Sequence, residues 1–517
     1  MSIKTFSSIY IGSFEVTMKI FEISSKKKLR EIDYIRSRLD LGKEAYKHDN
    51  KSIGYECVDE LCDMLSEFRT IMNGYKVDSY EIYASSFFDS VSNKMFVLDQ
   101  VYIRTGFQIN VINNVTHRFI SYKSLVNNEA FAKLVKKSAI VVDIGGASVQ
   151  VTFFNNGKLE STQHMEIGTV KLRELLYNPG NTENTYRSDM EEYIDKKIKA
   201  YTHLYFEQSV DYVIFMNDNG MELIQRLEKD KEENNLIKAD KLYKYLEKLQ
   251  RKSLSDISEV LSLPDDSDSL LIPTICLFKA FISNLQPKDV WIAGVNINDG
   301  IAYDYAQKNK LIRMSHNFDD DVISAAKKLS ERFCSYSLHI EALTGLSIQI
   351  FDALKKVHGL GSRERLLLET ATILHDCGKF ISLENDAMCA YNIIKSSEII
   401  GLVQSEREIV ARTVLYNSYK LDNYEDISDV LGMKEYVISA KLAAILRVAN
   451  ALDQSHKQKF TNIKFTLKDK QLIIHLETFD DISLEKRLFE EKTAFFEEIF
   501  SIKPIIKSKK IYNLGGN

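Results

Sequence analysis

Proline is scarce, with five residues in 517 (Pro179, Pro264, Pro273, Pro287 and Pro504), and their scatter means that no proline-rich linker marks a domain border. Cysteine is almost as sparse: six thiols without a CxxC pair exclude a disulfide scaffold and a zinc knuckle, and they point to a reducing compartment. No window offers about 18 uninterrupted apolar residues. The opening MSIKTFSSIYIGSFEV also lacks a basic start followed by an apolar core and a small-residue cleavage site. Neither a membrane span nor a secretory leader is therefore expected, and the chain reads as cytoplasmic. Positive charge is not in excess either: 68 Lys and Arg against 73 Asp and Glu leave a net charge of −5. Nucleic acid is not an expected partner, since only short patches such as Lys26, Lys27 and Lys28 are basic.

What remains is the composition of an ordinary globular protein, 44% hydrophobic and 27% charged. At about 100–200 residues per domain the chain should divide into three or four units. Residues 1–125 alternate short β-rich runs ("IYIGSFEVTMKIFEI", "YEIYASS", "VYIRTG", "INVIN") with the helical spacing of "VDELCDMLSEFRTIMN". Residues 126–315 open on "KSAIVVDIGGASVQVTFFNNGKL", a strand, a Gly-Gly turn, an alternating strand and the hairpin turn Asn155, Asn156, Gly157. "YVIFMNDNG" and "VWIAGVNINDG" read as further strand ends, and "LIQRLEKDKEENNLIKADKLYKYLEKLQ" as a solvated helix. The two opening hairpins share one plan, which suggests a duplicated α/β fold with a cleft between its halves. Residues 316–460 carry helical spacings (Val322, Ala326, Leu329, Phe333) and few strand signals. Residues 461–517 return to α/β character.

In the helical third unit, His339 falls in line with Leu343, Leu346 and Ile350 on one helix stripe. His375 and Asp376 stand side by side near the end of "RERLLLETATILHD". Asp453 follows Leu446 and Ala449 toward the apolar side of "KLAAILRVANALDQSH". Buried carboxylates are expensive unless paired or bound to a cation, and one divalent ion would satisfy two imidazoles and two carboxylates together. Mg²⁺ or Mn²⁺ suits the set, with Fe²⁺ and Zn²⁺ as alternatives, and open coordination positions would take water and a phosphate oxygen. With Cys377 assigned to the core, His339, His375, Asp376 and Asp453 are the expected metal ligands and His375 and Asp376 the expected catalytic pair. The pattern of a first histidine, a His-Asp doublet and a distant aspartate resembles the HD metal-dependent phosphohydrolases.

"VVDIGGASV" ends a strand on Asp143 and turns through Gly145 and Gly146 to Ser148, a form in which backbone amides approach an anion and the carboxylate can hold a hydrated cation. It resembles the phosphate-binding segment of the actin, sugar-kinase and Hsp70-type ATPase fold. Together with "ASSFFDS", "MEIGTVKLRE", "VWIAGVNINDG", "FDALKKVHGLGSRERLLLETATILHDCGKFIS" and "RVANALDQSH", it is similar to the exopolyphosphatase and guanosine pentaphosphate phosphohydrolase family over nearly the whole chain. The resemblance implies two actin-like α/β domains, an HD-type helical domain, a homodimer, and a polyphosphate or guanine-nucleotide substrate. Asp143, Gly145, Gly146, Ser148, Gly12 and Ser13 would bind its phosphates.

Against that family's pattern, Tyr10 stands where an aspartate is usual and Asp89 where an arginine is. Thr116 stands at the water-orienting glutamate, Gln150 at an acidic position and Ala147 at a third glycine. A threonine is no general base at neutral pH, and Asp89 would repel phosphate, so impaired hydrolysis in the N-terminal cleft is expected. Asn417 replaces an expected histidine in the helical domain, which argues against a second metal. Three functions follow: a family phosphohydrolase acting on polyphosphate or guanosine polyphosphates, an HD-centred phosphohydrolase with a phosphate-sensing N-terminal region, or a non-catalytic regulator.

Overall fold

The computed structural model describes residues 4–24, 29–47, 51–176, 183–206, 210–216, 236–253, 256–257, 270–312 and 316–511. They fall into two compact units, Met1–Asn317 and Phe318–Asn517.

The first unit is built on two sheets of one plan. In the first, β1 (Lys4–Ile11), β2 (Glu15–Ile23) and β3 (Leu29–Arg38) form an antiparallel meander, and β4 (Ser79–Ala84) and β5 (Asn110–Val111) add in parallel on the other side of β1. In the second, β6 (Ala139–Ile144), β7 (Val149–Asn155) and β8 (Lys158–Met165) form the meander, and β9 (Tyr212–Met216) extends β6 in parallel. Strand β10 (Leu236–Lys238) lies antiparallel at the edge of β11 (Asp289–Ile292), which pairs in parallel with β9. Counted from the meander edge, the orders are β3-β2-β1-β4-β5 and β8-β7-β6-β9-β11-β10. The duplication is therefore one of topology, with β10 as the only added strand among the described residues.

Each sheet is stabilised by its own apolar layer. Leu61, Leu65 and Phe68 of the Tyr55–Gly74 helix are buried on the first sheet, and Phe278 of the Leu271–Leu285 helix stacks on Phe215 of β9 at 3.9 Å. Burying each such side chain is worth roughly 1.5–3 kcal/mol. The Ile297–Lys308 helix leaves the second sheet and packs on the first. It is pinned there by Lys19 to Asp299 at 2.9 Å and by Asn298 Nδ2 donating to Thr17 Oγ1 at 2.6 Å. The Asn114–Val126 helix packs against it, joined by Lys123 to Asp304 at 2.6 Å.

"VYIRTG" is not a strand run: Val101–Thr105 ends the Lys94–Thr105 helix, capped by Gly106 in the left-handed region. The β-branched and aromatic residues suggested a strand, but Val97, Val101 and Thr105 are buried at a spacing of four, and packing of that stripe decides. The charged stretch expected to be one helix yields β10 and the Ala239–Gln250 helix; its earlier part and the turn after Met216 lie outside the described residues.

The second unit is helical through Met433–Leu452, whose buried residues face the Ser337–Ala353, Gln404–Leu415 and Ser483–Phe500 helices. Strands β12 (Phe460–Lys468) and β13 (Gln471–Thr478) form a hairpin, and the Ser483–Phe500 helix is the crossover that lets β14 (Lys503–Lys510) pair in parallel with β13.

Candidate functional site

In the first unit the two opening hairpins turn in the same way. Gly12 N–H donates to Glu15 O at 2.8 Å, and Gly145 N–H donates to Ser148 O at 2.9 Å. The amides of Gly146, Ala147 and Ser148 take no part in that closure, which leaves three donors at the turn. The two turns nearly touch: a Cβ on Gly146 would stand 2.3 Å from Ser13 Oγ and 3.1 Å from Val170 Cγ2, so any other residue would displace the Ser13 hydroxyl. Between them lies a cleft of about 150 Å³, lined among others by Gly12, Ser13, Asp143, Gly145, Gly146 and Ser148. All six phosphate-binding candidates thus meet in one place.

The departures from the family pattern are placed less uniformly. Tyr10 lines the cleft, and burial together with the Asp143 carboxylate raises its phenol above the ordinary range, so it stays protonated. Gln150 also lines it, with Oε1 accepting from Arg118 Nε at 2.7 Å and Nε2 set 2.8 Å from His164 Nδ1. Asp89 is not a cleft residue: it sits on the short turn of helix Ser86–Ser90 and pairs with Lys94 at 2.8 Å, which offsets its charge. Thr116 does not line the cleft either, and its backbone amide is bonded to the Asn113 side chain that caps the helix. The helix instead presents Asn114, His117 and Ser121, one face at a spacing of three and four.

Nothing in the sequence sets His117 apart from Thr116, because which of two neighbours on a helix meets the cleft is decided by the helix's rotation. The His117 ring stands 5.5 Å from that of Tyr10. Burial, helped by Arg118 and His164, lowers its pKa from 6.5 to about 4. Between those values the unfolded chain binds a proton that the folded chain does not, so stability falls as pH drops through this window. The total is up to about 3 kcal/mol. Urea melts from pH 7 to pH 4 should show this loss, and His117→Asn should flatten it; an unchanged slope would contradict the assignment.

In the second unit, His339 is wholly buried, His375 caps the Ser362–Leu374 helix, and Asp376 begins the turn Cys377–Phe380. One donor atom from each lies within 4.8 Å of the others. Their tautomers follow from their partners. His375 Nδ1 donates to Thr372 O at 2.8 Å, and His339 Nδ1 donates to Asp453 Oδ2 at 2.8 Å, so both imidazoles present a bare Nε2. His339 Nε2 is buried without a hydrogen-bond partner, and His375 Nε2 stands 3.0 Å from Asp376 Oδ1 without an aligned bond. Two acceptors facing each other need a positive charge, and Lys379 Nζ supplies one at 2.7 Å from the same oxygen. Burial pushes Asp376 up, yet His375 and, after it, Lys379 hold it well below the carboxylate range.

The fourth expected ligand is placed differently. Asp453 accepts from His339, from Gln458 N–H at 2.9 Å and from Gln458 Nε2 at 2.9 Å, which puts it behind the His339 ring as its orienting carboxylate and outside the donor cluster. His456, in the same loop, was not singled out in the sequence. It adopts φ 54° and stacks on His339 at 3.7 Å. Cys377 is buried in the core, and burial raises its thiol to about 12.

Among the described residues no helix is long and apolar enough to cross a membrane. A model of the Ppx/GppA phosphatase family matches residues 20–309, and a model of Ppx/GppA phosphatase, domain III, matches residues 323–493. A guanosine-5'-triphosphate,3'-diphosphate pyrophosphatase from Pseudoalteromonas translucida is 21% identical over 389 residues, 72% of each chain. A bifunctional 3-dehydroquinate synthase/phosphatase from Fusobacterium nucleatum is 25% identical over 177 residues, which is 33% of this chain and 26% of that protein. The chain thus spans about a quarter of that relative's length. An exopolyphosphatase from Cytophaga hutchinsonii shares the fold at TM-score 0.51 and 17% identity, covering 60% of this chain and 100% of its own.

Proposed function

The chain belongs to the Ppx/GppA phosphatase family, and from that membership we propose that its N-terminal cleft releases the terminal phosphate of a linear phosphoanhydride, inorganic polyphosphate or a guanosine pentaphosphate-type nucleotide. The observation that supports this reading is the pair of matching glycine turns, with three unused amides and the Asp143 carboxylate on residues that line one cleft. Water attacks the terminal phosphorus, the bond from that phosphorus to the bridging oxygen breaks, and orthophosphate leaves. His117 accepts the water's proton. Asp143 is the side chain that would hold a hydrated Mg²⁺ or Mn²⁺, whose charge offsets that of the phosphate oxygens.

Turnover is slow in this reading. An imidazole held down to about 4 is a weak base, and the carboxylates that relatives would carry at Tyr10 and Gln150 are missing. The experiment is phosphate release from polyphosphate by two neighbours on one helix. Thr116→Ala should leave the rate unchanged and His117→Ala should lower it about a hundredfold, the low end of what general-base catalysis supplies. Equal rates for His117→Ala and the parent would overturn the role.

A second reading, for the second unit, is favoured by the two bare imidazole nitrogens. We propose an HD-type centre in which His339, His375 and Asp376 hold one divalent ion and Asp453 orients His339. Two imidazoles and one carboxylate suit Mn²⁺, Fe²⁺ or Zn²⁺ better than Mg²⁺. Such an ion would supply a bound water as nucleophile for phosphoester hydrolysis. Elemental analysis should find about one such ion per chain after loading, falling about a hundredfold in affinity in His375→Ala. Absence of uptake by the parent chain would remove the centre.

A further inference from the structure

Beside that centre is a second cavity, of about 380 Å³, whose far wall comes from the Ser483–Phe500 helix. His375 and Asp376 line one side; Lys379, Arg447 and Lys492 are its cationic groups, Asp386 and Glu491 its other carboxylates, and Asn417 and His456 are among its neutral polar groups. Two of these are unsatisfied. Asn417 Oδ1 is buried with no hydrogen-bond partner, and Lys492 is partly buried and forms no ion pair. Arg447 is fixed in the floor: it lies over the Phe495 ring at 4.1 Å and donates to the carbonyls of Tyr416 and Tyr419.

Counted by formal charge, Lys379, Arg447 and Lys492 balance Asp376, Asp386 and Glu491, so the cavity is neutral as it stands. A divalent ion at the donor cluster makes it +2. Lys379 and that ion cannot share Asp376 Oδ1 without repulsion, and the ammonium, on a flexible stem at a partly exposed site, is the one that turns away. It then joins Lys492 as a cation without a partner.

Resting on the metal-centre reading above, we infer that this cavity is a phosphate subsite, completed by metal loading, that takes the phosphate of a small phosphomonoester between Lys379 and Lys492. Asn417 Oδ1 is left for a hydrogen-bond donor on the rest of the ligand. Affinity for metal and for phosphate is then reciprocally coupled.

The test uses the full chain carrying Asp143→Ala, so that the N-terminal cleft does not report, with Mn²⁺ and orthophosphate as probes in titration calorimetry. Orthophosphate should bind at least about tenfold tighter with Mn²⁺ than without, corresponding to about 1.4 kcal/mol of coupling. Lys492→Ala should remove about that factor and Lys492→Arg restore most of it. Lys379→Ala should weaken phosphate binding and at the same time tighten Mn²⁺ binding several-fold, which a merely structural lysine would not do. If Mn²⁺ binds and phosphate affinity ignores both Mn²⁺ and Lys492→Ala, the subsite is overturned while the metal centre stands. If no Mn²⁺ binds, centre and subsite fall together.

Discussion

Replacing Asp143 with alanine is expected to abolish release of terminal phosphate from polyphosphate, by about a thousandfold or more, with the first unit still folded. Asp143 is the penultimate residue of β6, opposite Gln150, and lines the cleft together with the turn whose three amides are unused. Glu15 is the other carboxylate of the cleft, and it is committed to Arg36. No lysine or arginine lines the cleft among the described residues. In the proposed reaction the charge of two or more phosphates would therefore have to be offset by backbone amides and by a cation at Asp143. A metal ion is worth several kcal/mol to such a transition state, and about 4 kcal/mol is a thousandfold in rate. Asp143→Asn keeps the size of the side chain and loses its charge, so it should be almost as inactive, which separates electrostatics from packing. The strand itself should tolerate both changes, because Val142 and Ile144, not Asp143, are buried in its apolar layer. Orthophosphate release with a thermal melt checks both halves. A fully folded variant retaining a tenth of the parent rate would sink the cleft as the place of reaction.

The glycine turns and the His-Asp doublet could be read from the chain because they are local. A strand tip followed by Gly-Gly, or two ligand-type residues in an apolar run, states its environment within a few positions. What failed to be legible was orientation. Thr116 and His117 are neighbours, but one step around a helix is about 100°, and that decides which of them meets the cleft. Asp89 was assigned by its place in a family phrase, while the direction of a single turn sends it to Lys94. Asp453 carries the right chemistry at the right helix end. Its distance from the cluster is set by the loop to Gln458, where His456 and Gln458 adopt φ 54° and 46°. No sequence rule announces two non-glycine residues in the left-handed region, so the stacking of His456 on His339 was invisible.

The other large effect is expected at Gly378, inside the same HDCGK phrase. Its φ is not positive, so the glycine serves space, not conformation. A Cβ there would lie 1.9 Å from Asp386 O and 2.5 Å from Ala390 N, backbone atoms of the Asp386–Ser396 helix that cannot rotate aside. Gly378→Ala must therefore separate the turn from the helix. Overpacking against backbone costs about 3 kcal/mol or more, which for a unit of this size lowers the melting temperature by roughly 6–12 °C. The shift also acts on His375 and Asp376, three and two residues earlier, and a ligand set displaced by about 1 Å loses most of its affinity. Mn²⁺ uptake should fall with stability in this variant. Gly345→Ala supplies the contrast: Gly345 is inside the Ser337–Ala353 helix that carries His339, and nothing lies within 4 Å of its added Cβ. It should stabilise the unit by about 0.5–1 kcal/mol and leave metal uptake unchanged. Equal melting temperatures for the two alanine variants would mean that the turn after Asp376 is not packed as described, and the geometry of the metal donors would lose its support.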